Sequence, residues 1–243
     1  MNPGTVVFRR ELKAYFDSPI AYIFSIVFLL LTCGIFMNDF FLVGVVDMDA
    51  YFNPLPLFMI LFLPALSMRL WAEERETNTY EFLCTLPVSH INLILAKYLA
   101  SLAFFLLTLA GTFPIVLMLY QLGHPDGGRI SASYLGAAGL GAVYLAVSHF
   151  LSSLARDQIV AYLTSVLTLG LFYATGNELV AGIMDGLWPR AQIGSFLRDT
   201  VSPLPHFELF TRGVIDLHAT IYFALMIVFP LWMTHLVLER NRY

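Results

Sequence analysis

Uncharged apolar runs long enough to cross a membrane recur six times along the chain. A spanning helix needs about 20 mostly apolar residues, because about 30 Å of hydrocarbon is crossed at about 1.5 Å per residue. The run from Ile20 to Met37 carries no charge and stops against Asn38 and Asp39. Tyr51 to Met68 is closed by Arg69, whose long side chain can reach the interface. Tyr98 to Leu122 follows Lys97, and Tyr134 to Leu154 lies between Arg129 and Arg156. Ile159 to Gly176 begins just after Asp157, so a very tight turn joins the fourth and fifth runs. Ala219 to Leu238 ends at Glu239 and Arg240. The pattern predicts an all-α polytopic membrane protein with a single membrane domain over 1–243 and spans at 20–42, 51–70, 91–122, 133–154, 157–177 and 217–238.

Between the fifth and sixth spans, residues 178–216 are broken by Gly182, Gly186, Pro189, Gly194, Pro203, Pro205 and Gly213, with apolar residues persisting between the breaks. Short helices packed on, or dipping into, one face of the bundle fit that mixture, since irregular backbone at membrane depth must be satisfied by protein or water. Ahead of the first span, Phe8, Leu12, Tyr15 and Phe16 fall at i, i+4, i+7 and i+8, while Arg9, Arg10 and Lys13 occupy other faces. That spacing predicts an amphipathic helix over 5–17 lying in the membrane interface. The apolar run after it exceeds the length of a cleaved signal and lacks a small-residue cleavage pattern.

Composition agrees: 58% of the 243 residues are hydrophobic and 12% charged, against roughly half and a quarter in soluble domains. This excludes a nucleic-acid-binding module, a disordered regulator and most cytosolic enzymes. The net charge of −4 and two cysteines imply no particular partner and no cysteine-rich metal site. Nine of the thirteen Lys and Arg residues fall on the side of the termini. By the positive-inside rule both termini are therefore expected in the cytoplasm.

Within the spans, Ala138, Ala142 and Ala146 accompany Gly136, Gly139 and Gly141. Small residues let helices approach closely, within the bundle or toward another subunit, although glycine and alanine are also common in membrane helices generally. Pro64, Pro114 and Pro230 invite kinks. No Asp, Glu or Lys is predicted deep in a span, which argues against an ion-coupled transporter. His149 and His235 lie near the cytoplasmic ends of their helices, where a bond to a neighbouring carbonyl or headgroup is expected. There is no G-x-x-x-x-G-K-[ST], H-E-x-x-H, C-x-x-C or G-x-S-x-G, so the chain offers no nucleotide cradle and no catalytic or metal motif. Asp185, Asp199 and His206 are the nearest to a catalytic set, and nothing in their spacing requires them to meet.

The loop after the second span, 69–89, concentrates Glu73, Glu74, Glu76 and Glu81, with Phe82, Leu83 and Leu86 forming an apolar edge that Pro87 ends. A short amphipathic helix with an acidic side suits docking to a partner protein. The run E-E-R-E-T-N-T-Y-E-F-L-C-T-L-P-V-S, with Lys97 eight residues on, resembles the signature of ABC-2 type transporter permeases. Glu73, Glu74, Thr79, Glu81, Leu83, Thr85, Pro87, Val88, Ser89 and Lys97 fall on it; Asn78 and Ala96 stand where glycines are usual. Ser202-Pro203-Leu204-Pro205-His206-Phe207-Glu208, then Arg212-Gly213-Val214-Ile215-Asp216, resembles the gliding-motility-associated (GldF-like) group within that family, as does the stretch from Arg10 to Tyr22.

The resemblance implies six helices, an N-terminal elbow helix (Phe8, Arg9, Arg10, Leu12, Lys13, Phe16), a coupling helix at 71–89 carrying Glu73, Glu74, Glu76, Thr79, Glu81, Leu83, Thr85 and Pro87, and outer helices holding Ser202, Pro203, His206, Phe207, Arg212, Gly213 and Asp216. It also implies a pair of permeases, homo- or heterodimeric, on an ABC ATPase dimer that supplies ATP and Mg, with no cofactor in this chain and with accessory periplasmic or membrane proteins as further partners. Two functions fit: an ATP-driven exporter or force-transmitting subunit, and a non-transporting anchor for periplasmic or surface proteins of motility or metal-site maturation.

Overall fold

The computed structural model describes residues 3–76, 89–187 and 192–240. Among them every regular element is helical. The first helix, α1 (Pro3–Phe16), stops because Ser18 precedes Pro19 and takes an extended conformation, the backbone state that a following proline imposes. Pro19 then opens α2 (Pro19–Val43), the first span, which ends on Gly44 at φ 72° with its N–H bonded to the Phe40 carbonyl. Only glycine takes that left-handed turn without strain.

A single turn, α3 (Asp49–Phe52), leads to the second span, built from α4 (Leu55–Ser67) and α5 (Arg69–Glu76). Residues 71–76, assigned above to the loop, thus continue the span. The reason is packing: Leu70, Trp71 and Ala72 are buried, so the helix extends until its last apolar contacts are made. The third span also has two parts, α6 (His90–Ala110) and α7 (Phe113–Leu122). Pro114 cannot donate to the Ala110 carbonyl, and the helix breaks at Gly111–Thr112. The Thr112 hydroxyl repairs the break, donating to the Leu109 carbonyl and sharing a hydrogen bond with the Tyr134 hydroxyl at 2.8 Å. Pro64 and Pro230, by contrast, stay inside continuing helices.

The fourth span, α8 (Gly127–Leu154), and the fifth, α9 (Gln158–Gly176), start on side-chain caps. Asp126 accepts from Gly128 and Arg129, and Asp157 from Ile159 and Val160, satisfying orphan donors of the first turn. Three short helices follow, α10 (Glu178–Leu187), α11 (Ile193–Thr200) and α12 (Leu204–Thr211), and α13 (Leu217–Arg240) is the sixth span. Six crossings return the chain to its starting side, so both ends share one face, the terminal face; α10–α12 lie at the far face.

α8 is the hub, packed by α4, α5, α6, α9, α12 and α13. Its glycines are sockets for aromatic rings of the same chain: Phe210 over Gly136, Phe223 over Gly139 and Phe105 over Gly141. An added Cβ would lie 2.5 Å from the Phe210 Cβ or 2.7 Å from the Phe223 ring. The small-residue face therefore serves packing within the bundle, which is what drives helix association where lipid is as apolar as the side chains. The first, fifth and sixth spans leave most of their apolar surface exposed, with Leu30, Leu167, Leu171 and Leu225 among the most open.

Candidate functional site

The densest set of charges lies at the terminal face, where α1, α5 and α6 meet. Lys97, two turns into α6, is only 2% exposed. Its ammonium donates to the Glu74 carboxylate at 2.7 Å, the Leu70 carbonyl at 2.8 Å and the Glu11 carboxylate at 3.4 Å. Arg10 reaches Glu11 at 2.6 Å and Glu74 at 3.7 Å. Two cations thus meet two carboxylates, one from α1 and one from α5, beside a cavity of about 350 Å³ that all four line. Burial works to raise the pKa of Glu11, but the Lys97 ammonium and Arg10 guanidinium prevail and hold it below the ordinary glutamate value. Burial likewise opposes charge on Arg10, and its bond to Glu11 overcomes it, so the guanidinium pKa is raised. A buried charge is tolerated only when paired and hydrogen-bonded, and this cluster satisfies both conditions.

The rest of α5 is gripped as closely. Arg69 bonds Glu73 at 3.1 Å and the Ser18 hydroxyl ahead of the first span. Tyr15 of α1 donates to the Leu66 carbonyl at 2.8 Å. The Trp71 ring lies under the Lys97 ammonium, 5.2 Å from its centroid, and its indole N–H donates to Nε2 of His149 at 2.9 Å. Ser152 donates to the Met68 carbonyl at 3.0 Å and accepts from the Trp71 and Ala72 amides, bridging the break between α4 and α5. Gln158, at the start of α9, donates to Glu76 at 3.1 Å. Among the described residues, α1, the cap of α2, α6, α8 and α9 all hold this eight-residue helix.

Of the acids expected to dock a partner, Glu74 turns inward and binds Lys97. Glu73 bonds Arg69 and is half-buried; Glu76 is exposed. Thr79, Glu81, Leu83, Thr85 and Pro87 lie outside the described residues. In α1, Phe8 and Leu12 pack against the core, Arg9 and Lys13 face outward, Arg10 turns to Glu11 and Glu74, and Phe16 edges the Phe104 ring at 5.7 Å. Sequence reading missed the partners of Lys97, Trp71 and His149. His149 is fully buried and bonds an indole rather than a carbonyl or headgroup; His235 lies 3.3 Å from Glu239. The available signal was a lone lysine two turns inside an apolar helix, which demands a carboxylate partner.

The far-face motif is chiefly architectural. Ser202 donates to the Phe172 carbonyl at 2.7 Å, and Pro203 precedes α12. Phe207 packs at Gly136, Gly213 turns at φ +83°, and Asp216 accepts from the His218 amide. His206 stacks on Tyr222 at 3.9 Å. Arg212 is exposed. Asp185 does not join His206: it caps α11, accepting from the Gly194 amide at 2.6 Å and from Ser195. Among the described residues no three metal-ligating side chains converge.

No curated protein matches the chain. A family model described as "ABC-2 family transporter protein" matches residues 44–236, from the end of the first span to the last turns of the sixth. With six apolar helices in an all-helical chain, the protein is a multi-pass membrane protein that belongs to the ABC-2 transporter family.

Proposed function

We propose that this chain is the permease subunit through which a separate ATPase drives export, or force, across the membrane. The observation that carries the reading is the grip on α5. This helix enters the segment whose sequence matches the coupling signature, and its hydrogen bonds and ion pairs reach α1, α6, α8 and α9. A push on 77–89 would be delivered along α5 to the spans at once. Coupling requires a partner that binds two conformations differently, and a rigid lever with many attachments converts such a difference into bundle movement.

In this reading the terminal face is cytoplasmic, two permeases pair on two ATPases, and the gliding-motility-associated group is the nearest subgroup. The test is co-expression with the ATPase from the same operon. Glu76→Lys, at the exposed end of α5, should weaken ATPase recovery, while Asp39→Asn at the far face should not; equal recovery of all three proteins would refute the docking assignment. A second reading, an anchor for proteins at the far face, is favoured by the exposed Leu179, Ile183, Leu187 and Phe196 of α10–α11. ATPase activity stimulated by such a protein with nothing transported would support it.

A further inference from the structure

A second cavity, about 570 Å³, opens at the far face between the ends of the second, fourth and fifth spans. Its size is that of a small-molecule site. Asn53 just before α4, Arg129 in the first turn of α8 and Asn177 at the end of α9 line it, together with Glu208 of α12 and Arg212 at that helix's C-terminal cap. Arg129 braces the wall, bonding Asp49 at 2.7 Å and the Thr211 carbonyl at 2.8 Å. Glu178 on the rim is occupied by Arg198 at 2.7 Å. Among the described residues neither Glu208 nor Arg212 has an ion pair or a side-chain hydrogen bond. Glu208 within α12 and Arg212, which caps its C-terminus, stand four residues apart yet do not pair with each other.

A carboxylate and a guanidinium in one cavity, neither paired to a side chain among the described residues, suit a ligand with both charges. An anion alone would meet Glu208 and Glu178; a cation alone would meet Arg129 and Arg212. Leu204 and Phe207 form an apolar floor. The cavity sits at the ends of three spans, the level of the phospholipid headgroups beyond the hydrocarbon core. We propose that it holds the zwitterionic headgroup of a bilayer phospholipid, with the primary ammonium on Glu208 and the phosphate on Arg212. A primary ammonium donates hydrogen bonds to a carboxylate, and a guanidinium matches a phosphate with a planar fork. In a membrane such headgroups are always at hand, so a site of modest intrinsic affinity would be filled.

The experiment uses the full-length chain in nanodiscs of phosphatidylethanolamine, phosphatidylcholine or phosphatidylglycerol, scored by lipid retained in native mass spectrometry and by melting temperature. Retention of phosphatidylethanolamine at least fivefold above the other two is expected. Glu208→Gln and Arg212→Gln should each erase that preference, while Asp39→Asn, elsewhere on the same face, should keep it. Soluble glycerophosphoethanolamine should compete only at high concentration. Equal retention of the three lipids, or an unchanged preference in both variants, would overturn the proposal. Tight binding of the soluble compound with no retained lipid would overturn the lipid as its source. Circular dichroism and gel filtration of each variant separate a lost site from a lost fold.

Discussion

Replacing Lys97 with methionine removes one charge from a site where the remaining groups cannot rearrange easily. The ammonium is 2% exposed and donates to two carboxylates and a carbonyl. Without it, Glu11 keeps Arg10 at 2.6 Å, while Arg10, whose side chain is 55% exposed, stands 3.7 Å from Glu74. Breaking a buried pair by removing one partner typically costs about 3–5 kcal/mol, because it strands a desolvated charge. Adding Glu74→Gln removes the stranded carboxylate, so the double variant should recover part of the loss, with a coupling energy of about 1–3 kcal/mol. Thermal unfolding of the purified protein, in a full cycle of wild type, two singles and the double, measures this directly. If Lys97→Met costs less than about 1 kcal/mol, or if the two changes add without coupling, the buried cluster does not hold α1, α5 and α6 together.

The same cluster should respond to acid. The Glu11 pKa is lowered on folding, so its contribution is present above the ordinary glutamate value and lost as pH falls through the lower folded value; hydrogen exchange in α1 should rise there, and Glu11→Gln should flatten the response. The far face should loosen at a higher pH. Burial lowers the His206 pKa despite the backbone bond to Asp199 and the nearby Asp216, and the His218 charge adds to the lowering. The α12–α13 packing is therefore stable above about pH 6.5 and weakens below it; His206→Phe should remove this pH dependence from the melting curve. Gly141→Leu should destabilise the bundle by about 1–3 kcal/mol or more, because its side chain would enter the space of the Phe105 ring, and Gly170→Leu, where nothing lies within 4 Å, should not. Unfolding of both variants in one detergent decides it. Trp71→Phe keeps the ring over Lys97 but leaves His149 without its donor, and should cost about 1–3 kcal/mol.

The six spans were legible because apolar run length is a one-dimensional property of the chain, and lipid demands it. Asp126 and Asp157 stand just ahead of the helices they cap, a local signal that the apolar pattern alone does not carry. What could not be read was which side chains meet across elements. The glycine face of α8 was visible, but its occupants, Phe105, Phe210 and Phe223, come from three other helices. Lys97 in its apolar run asks for a carboxylate without saying which one, and Glu11 is one acid in a basic helix. Only the fold brings them together, 86 positions apart. Trp71 looked like part of a loop because charges crowd the residues after it, yet Glu74 pairs inward with Lys97 and Trp71 itself is buried, so the helix continues.

A lever built on α5 and tied to α1 and α6 through the Lys97 cluster requires these helices to move as one body when the proposed ATPase acts. Gly4 and Asn92 allow a direct test, since a Cβ built at Gly4 lies 3.6 Å from the Asn92 Cβ, within the range a disulfide spans. Gly4→Cys with Asn92→Cys, oxidised in the reconstituted permease–ATPase complex, would lock α1 to α6. ATP hydrolysis and transport should stay within about twofold of the reduced complex, because no relative movement is being blocked. Activity abolished on oxidation and restored on reduction would show that α1 slides on α6 during the cycle, and the account would fail.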